Sequence, residues 1–391
     1  MRKTFLLLLP AALLAAAAAS PPPQDSADSA RPGTWPLEEI RAWLETPGIH
    51  DPFLPESPLG LPEDLSEFIP ADNPLTRARV RLGEQLYFDK RLSRDGTVSC
   101  ATCHDPARGW TDNAPVSTGI DGQKGLRSAP SVLNRLLGKT QFWDGRAASL
   151  EEQALGPIGN PIEMGFSPEE AAERLNAIEG YRLQFEAVFG GPATPERIAQ
   201  AIAAFERTIL AGASKNDYYE RALPWFEWDP EEEEDEEWVE IGLRILEEER
   251  QNRMSEAARR GRELFFGKAQ CSTCHFGPDL TDEQFHNLGI GLDRPDAAGR
   301  AAVTGKDEDW GKFKTPGLRN IALTAPYMHD GSLATLEEVV EHYNKGGTPN
   351  RNLSGNIFPL KLTKEEVRDL VTFLEEGLSG ERPPVRTPRL P

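Results

Sequence analysis

The chain has 391 residues, 38% of them hydrophobic and 27% charged, enough for one large or two ordinary domains and too many for a peptide-sized or coiled-coil protein. With 34 Gly and 33 Pro, turns and irregular connections outweigh long uninterrupted helices. A formal net charge of −20 excludes nucleic acid as a partner; such acidity is most often solubility alone, and docking of a basic partner is the second reading.

Residues 1–19 carry Arg2 and Lys3, then an apolar stretch, then small residues with a cleavage site near Ala19. This is the pattern of a signal peptide. No later stretch is long and apolar enough to span a membrane, and no cysteine follows the leader to carry a lipid anchor. Residues 20–74 are rich in Pro, Ser and Asp with one helical pattern at Pro36–Glu45, an extension strapped onto the surface. The stretch 75–213 shows helical periodicity at Arg81–Phe88, Ser149–Leu155, Pro168–Ile178 and Pro195–Leu210, separated by long Gly/Pro loops.

Residues 214–253 read as an acidic insertion, with the run Asp229–Glu237 between Trp225, Trp228 and an amphipathic helix at Val239–Glu249. A charge run is usually a solvated face; a docking patch is the alternative, raised by the flanking Trp residues. In 254–391, Gly261–Gly267 before Cys271 echoes Gly83–Asp89 before Cys100, so one unit occurs twice. Helices at Leu336–Asn344 and Lys364–Leu378 close the second unit, and the Pro-rich tail after Arg382 reads as loose. The fold class is mainly α.

All four cysteines fall in Cys100-Ala-Thr-Cys103-His104 and Cys271-Ser-Thr-Cys274-His275. Cys-x-x-Cys-His is the pattern for covalent c-type haem attachment: two thiols one helical turn apart reach the two vinyl groups, and the adjacent His supplies the proximal nitrogen. A redox dithiol needs no His after it twice, and zinc wants four ligands from neighbouring segments. The sequence therefore predicts two cytochrome c-like haem domains, each holding one haem c, with His104 and His275 on the two irons. Histidines left for further ligation are His50, His286, His329 and His342, and the methionines beyond the leader are Met164, Met254 and Met328.

Leu82–Arg108, Phe142-Trp-Asp-Gly-Arg146 and Leu323-Thr-Ala-Pro-Tyr-Met-His-Asp-Gly331 resemble the bacterial di-haem cytochrome c peroxidase/MauG family from about Leu75 to Leu378, apart from the acidic insertion. The resemblance implies a periplasmic haem peroxidase whose N-terminal haem meets peroxide and whose C-terminal haem receives electrons. It places Ile120 where many family peroxidases carry a capping His, which leaves the first iron open. It implies Glu163 as the acid/base and Gln153 as the residue orienting peroxide, the alternative being two polar residues at a helix end. It implies Tyr343 as the second ligand of the second iron, where the peroxidases use Met; the alternative is a packed tyrosine with His342 or His329 as ligand. Trp143 is implied to lie between the haems, against the alternative of a core residue.

Arg146 and Arg319 are candidates to pair with haem propionates, or are ordinary interface salt bridges. The family also binds Ca²⁺ through an Asn side chain and carbonyls that correspond to Thr324 and Pro326, but Ser128, a weaker oxygen donor, stands in place of the Asn. Ile120 and Tyr343 favour a MauG-like enzyme that uses hydrogen peroxide to oxidise an electron donor or protein substrate. A conventional peroxidase drawing electrons from a small cytochrome or cupredoxin is the alternative. A non-catalytic di-haem carrier comes third.

Overall fold

The computed structural model describes residues 33–391 except 234, 385 and 386, so the signal peptide expected at 1–19 lies outside the described residues. The helices are α1 (Leu37–Leu44), α2 (Arg77–Phe88), α3 (Cys100–Cys103), α4 (Leu150–Gly159), α5 (Pro168–Asn176), α6 (Glu179–Phe189), α7 (Pro195–Glu206), α8 (Lys215–Ala222), α9 (Glu236–Gln251), α10 (Glu256–Phe266), α11 (Ala301–Thr304), α12 (Leu336–Asn344) and α13 (Lys364–Thr372). The only strands among the described residues, β1 (Phe285–His286) and β2 (Phe313–Lys314), pair antiparallel with Phe285 opposite Lys314. The fold is mainly α, as the sequence predicts.

Ser and Thr caps set many of the boundaries. Thr76 caps α2 by accepting from the Arg79 N–H, one turn earlier than the periodicity implies, and α12 and α13 start in reciprocal Thr/Glu capping boxes. Helices α6 and α8 were not anticipated. In α8 the polar sequence hides the helix, yet Tyr219 packs on the C-terminal core and Asp217 is buried against Arg319.

Two apolar clusters organise the molecule. The first contains Leu82, Leu86, Tyr87, Phe185, Ile198 and Ile202; the second contains Phe265, Val340, Val367, Leu370 and Phe373. Each is built on one close helix crossing, α2 on α7 and α10 on α13. A Cβ on Gly83 would lie 1.8 Å from the Ala201 carbonyl oxygen, and one on Gly261 would lie 2.0 Å from that of Asp369. Only glycine lets the backbones approach this far. The same motif before each Cys-x-x-Cys-His thus makes the same crossing.

A second repeat is visible once the backbone is known. Gln141 bridges Ala147 and, 186 residues later, Tyr327 bridges Leu333. Within these two turns Phe142 and Met328 have φ of 67° and 75°, and Gly145 and Gly331 have φ of 68° and 62°. Each turn leads into a capped helix, α4 after Ser149 and α12 after Thr335. The copies meet face to face: Ser128 donates its N–H to the His329 carbonyl at 2.9 Å, and its counterpart Lys314 donates to the Trp143 carbonyl at 2.8 Å.

The tail corrects one expectation. It is strapped down, not loose: the Trp35 N–H reaches the Leu390 carbonyl at 2.8 Å, Gln85 donates to the Arg389 carbonyl at 3.1 Å, and Arg91 donates to the Pro391 carbonyl at 3.0 Å. These bonds satisfy the amide nitrogen of the buried Gln85 and an open backbone edge, and Pro391 covers Gly180 beside Ile40.

Candidate functional site

A single cavity of about 560 Å³ runs between the two halves and is lined from one side by Cys103 and His104 and from the other by Cys271, Cys274 and His275. All four cysteines are free thiols. His104 Nδ1 faces the Trp110 carbonyl at 3.4 Å and His275 Nδ1 faces the Leu280 carbonyl at 2.9 Å. A carbonyl only accepts, so Nδ1 carries the proton in both rings and Nε2 keeps its lone pair. Burial lowers the pKa of both imidazoles, which keeps them neutral. Two free thiols beside a neutral, oriented imidazole, repeated across one cavity, fit two thioether-bound haems.

Helix α4 turns Leu150, Gln153 and Pro157 toward the cavity, the spacing of one helix face. The chain then turns back at Asn160 and brings Glu163 to the same wall. Burial raises the Glu163 carboxyl above the usual carboxylate range, while the Arg146 charge and a 2.7 Å hydrogen bond from Asn160 Nδ2 act against that rise. Glu163 lies close enough to raise the Cys100 and Cys103 thiols, so the carboxyl belongs to the N-terminal pocket. Asn160, which the sequence reading missed, partly offsets that rise.

Ile120 lies in the loop that follows the first Cys-x-x-Cys-His motif. Its side chain is fully buried in the N-terminal core, and the cavity wall at this loop is made by Gly119 and Gly125. Its backbone N–H binds the Glu163 carbonyl at 2.9 Å, so the loop positions Glu163.

In the C-terminal half, α12 turns Leu336, Val339, Val340 and Tyr343 to the cavity. The Tyr343 phenol is buried near the Cys271 and Cys274 thiols, and burial raises its pKa further than they do. His342 points away and faces the Leu288 carbonyl through Nε2 at 2.9 Å. His329 lies flat on Phe313, ring centroids 3.5 Å apart, and is buried. The equivalent of Tyr343 in the 186-residue repeat is Pro157, which lines the cavity in the N-terminal half.

Trp143 lies where the halves meet. It lines the cavity, donates through Nε1 to the Ser128 carbonyl at 2.8 Å, and stands edge-on to His329, its counterpart in the repeat, at 6.5 Å between centroids. Arg146 lines the N-terminal pocket, pairs with Asp144 at 3.0 Å and lies over Phe142. Arg319 corrects the propionate expectation: four of its five N–H groups go to Asp217, by two bonds of 2.6 and 2.9 Å, and to the Gly60 and Pro278 carbonyls. It is a buried tie between the extension, α8 and the C-terminal half.

Thr324 and Pro326 line the cavity. The Ser128 hydroxyl faces the Ala114 carbonyl at 3.4 Å, and the Asn113 amide nitrogen donates to the Leu323 and Ala325 carbonyls at 2.7 and 2.9 Å. Another group missed from sequence is His286, which bonds Asp282 at 2.8 Å with Cys274 close by, so that the three ligand atoms lie within 4.8 Å of one another.

Residues 77–222 match the family model described as di-haem cytochrome c peroxidase, and residues 258–377 match the cytochrome c model. The methylamine utilization protein MauG of Methylorubrum extorquens is 39% identical over 324 residues, covering 82% of this chain and 84% of that one. The cytochrome c551 peroxidase of Nitrosomonas europaea is 38% identical over 327 residues, covering 83% and 86%. A crystal structure of a MauG-like protein associated with microbial copper homeostasis, 35% identical, matches with a TM-score of 0.68 over 80% of this chain and 92% of that one. No helix among the described residues is long and apolar enough to cross a membrane.

Proposed function

Because this chain belongs to the di-haem cytochrome c peroxidase/MauG family, we propose that it is a periplasmic oxidoreductase of the MauG-like form, which meets hydrogen peroxide in its N-terminal pocket and oxidises an electron donor or protein substrate. Two haems c are held by thioether bonds, one to Cys100 and Cys103 and one to Cys271 and Cys274. His104 and His275 bind the two irons through Nε2, and Tyr343 is the second protein ligand of the C-terminal iron. The observation that carries this reading is the equivalence of Tyr343 and Pro157 in the repeat. The same helix face presents an ionisable phenol in one pocket and a side chain with no donor atom in the other.

When bound, the N-terminal haem supplies an iron atom for cleavage of the peroxide O–O bond, and the pair supplies redox capacity for the two electrons required. The chain supplies the rest. Glu163 takes a proton from the proximal peroxide oxygen and returns it to the distal one, which leaves as water; a carboxyl raised by burial and held by Asn160 suits that exchange. Gln153, on the same wall, orients the peroxide. Trp143, hydrogen-bonded to one half and contacting the other, offers an indole for electron passage between the pockets. A phenolate at Tyr343 is hard and anionic and favours the higher oxidation state of a metal beside it, which outweighs the rise that burial alone imposes.

Electron paramagnetic resonance of the ferric protein with a peroxide titration tests this. One high-spin and one low-spin centre, both responding to peroxide, are expected, with the low-spin signal changed in Tyr343→Met. Two low-spin centres inert to peroxide overturn the reading and leave a di-haem carrier. Rapid steady-state oxidation of a reduced small cytochrome or cupredoxin would favour the conventional peroxidase instead, a reading supported by the similarity to the Nitrosomonas europaea protein.

A further inference from the structure

Glu206 closes α7 and is 4% exposed. It lines the cavity, and its Oε2 has no hydrogen-bond partner. None of the roles given above uses it. The two helix crossings fix its counterpart: Gly83 meets Ala201 and Phe205, and Gly261 meets Asp369 and Phe373, so Glu206 corresponds to Leu374, which lines the cavity in the C-terminal half. Packing at this place accepts a hydrocarbon. A carboxyl there is buried at a cost the fold does not require.

Its surroundings are mixed in charge. Arg207 is next to it in sequence but is committed to Glu151 of α4 by bonds of 2.7 and 2.9 Å, and Arg135 is committed to Glu283 at 2.9 Å. Tyr87 of α2 and Cys100 of α3 both feel its charge. Burial dominates, the two arginines oppose it and Glu151 adds to it, and the carboxyl is pushed up to about 8. The group is therefore poised to gain or lose a proton close to neutral pH, in response to a charge appearing in the same pocket.

We propose, resting on the two-haem reading, that Glu206 compensates charge in the N-terminal pocket: it binds one proton from water when that pocket gains an electron from the donor, and releases it when the electron leaves. The carboxylate becomes a carboxylic acid, no other bond changes, and the net charge of the pocket is the same before and after. An electron added at low dielectric beside an ionised carboxylate is strongly opposed, and protonation removes that opposition. Leu374 offers no such device, so the two pockets differ in how their potentials follow pH.

The test is a redox titration of each centre in the holoprotein on either side of pH 8. In the native protein the N-terminal midpoint falls as pH rises through this range, more steeply than the C-terminal one. Glu206→Gln and Glu206→Leu flatten the N-terminal dependence, and Glu206→Asp restores it. Reduction-minus-oxidation infrared spectra of the native protein show a carboxylic acid band that survives in Glu163→Gln and is absent in Glu206→Gln. An unchanged slope in Glu206→Leu, which keeps the packing of the other half, overturns the proposal even where thermal stability changes. A native preparation without Soret absorbance overturns the two-haem reading itself, so the two failures are distinguishable.

Discussion

Asn160→Ala separates a proton-transferring Glu163 from a merely structural one. The Asn160 amide donates to Glu163 Oε1 at 2.7 Å, a bond that favours the ionised carboxylate, while burial favours the acid. A hydrogen bond to a charged group contributes about 1.5–3 kcal/mol, and each ~1.36 kcal/mol is a factor of ten in the protonation equilibrium. Its loss moves the acid limb of the peroxide reaction to higher pH. At a fixed pH on that limb the second-order rate falls about ten- to hundredfold, by the same conversion, while the high-pH plateau is unchanged. Asn160→Asp keeps an acceptor for the Ile162 N–H, now bonded at 3.2 Å, but sets a negative charge against Glu163, so its limb moves further than that of the Ala variant. Stopped-flow rates of peroxide consumption across pH provide the measurement. Glu163→Gln, which cannot accept the proton, falls by about 10²–10⁴ at all pH values. A limb that stays in place in both Asn160 variants, or an Asp variant faster than the Ala variant, refutes the assignment of Glu163.

Three further outcomes follow from the packing. Arg319→Ala leaves the Asp217 carboxylate, 7% exposed, without its bidentate partner, and lowers unfolding stability by about 3–5 kcal/mol in urea titrations; a change below ~1 kcal/mol, the size of a surface pair, would show that the tie is not buried in solution. Gly261→Ala drives a Cβ to 2.0 Å from the Asp369 carbonyl oxygen and forces α10 from α13 at a cost of about 1–3 kcal/mol or more, read as a lower melting temperature; an unchanged melting temperature refutes the crossing. Burial pushes the Lys314 ammonium down to about 7, below its value of about 10.4 in an unfolded chain. The unfolded state therefore binds more protons between those values, and stability rises with pH across that window; Lys314→Met removes the rise, and a slope identical to that of the native protein counts against the burial.

The sequence exposes whatever depends on local pattern. Cys100–His104 and Cys271–His275 stand out because the Cys-x-x-Cys-His pattern has a fixed spacing, and α5, α7, α12 and α13 because their apolar faces follow helical periodicity behind Ser or Thr caps. What stayed hidden depends on partners distant in the chain. The tail at Arg389–Pro391 has no apolar pattern of its own and is ordered by Trp35, Gln85 and Arg91. Arg319 could pair with a propionate or with a carboxylate of the chain, and only the approach of Asp217 and Gly60 decides between them. Asn160, three residues before Glu163, could not be assigned to the carboxyl without the return of the chain after α4. The Asp-Gly turn that recurs 186 residues on was present in the sequence and could have been found by self-comparison: Asp144-Gly145 and Asp330-Gly331 both precede a cap and a Leu-Glu-Glu triplet.

That repeat explains how one architecture supports two unlike pockets. Backbone features recur at matched positions: the glycine crossings at Gly83 and Gly261, the left-handed residues Asn134 and Asn320, both at φ 57°, and the paired turns at Phe142 and Met328. These features place the motif histidines and the helices opposite them, and any side chain that departs from the repeat then acts against a shared frame. The departures concentrate on the cavity wall. Under the proposed function, Pro157 against Tyr343 decides which pocket lacks a second protein ligand, Glu163 adds a proton carrier to that pocket, and Glu206 against Leu374 gives it a titratable wall. Trp143 and His329 are equivalent residues in contact, so the junction between the pockets is itself made of two copies, of which one offers an indole and the other an imidazole. The asymmetry needed to separate peroxide chemistry from electron delivery therefore requires only side-chain replacements, with the helix crossings left as they are.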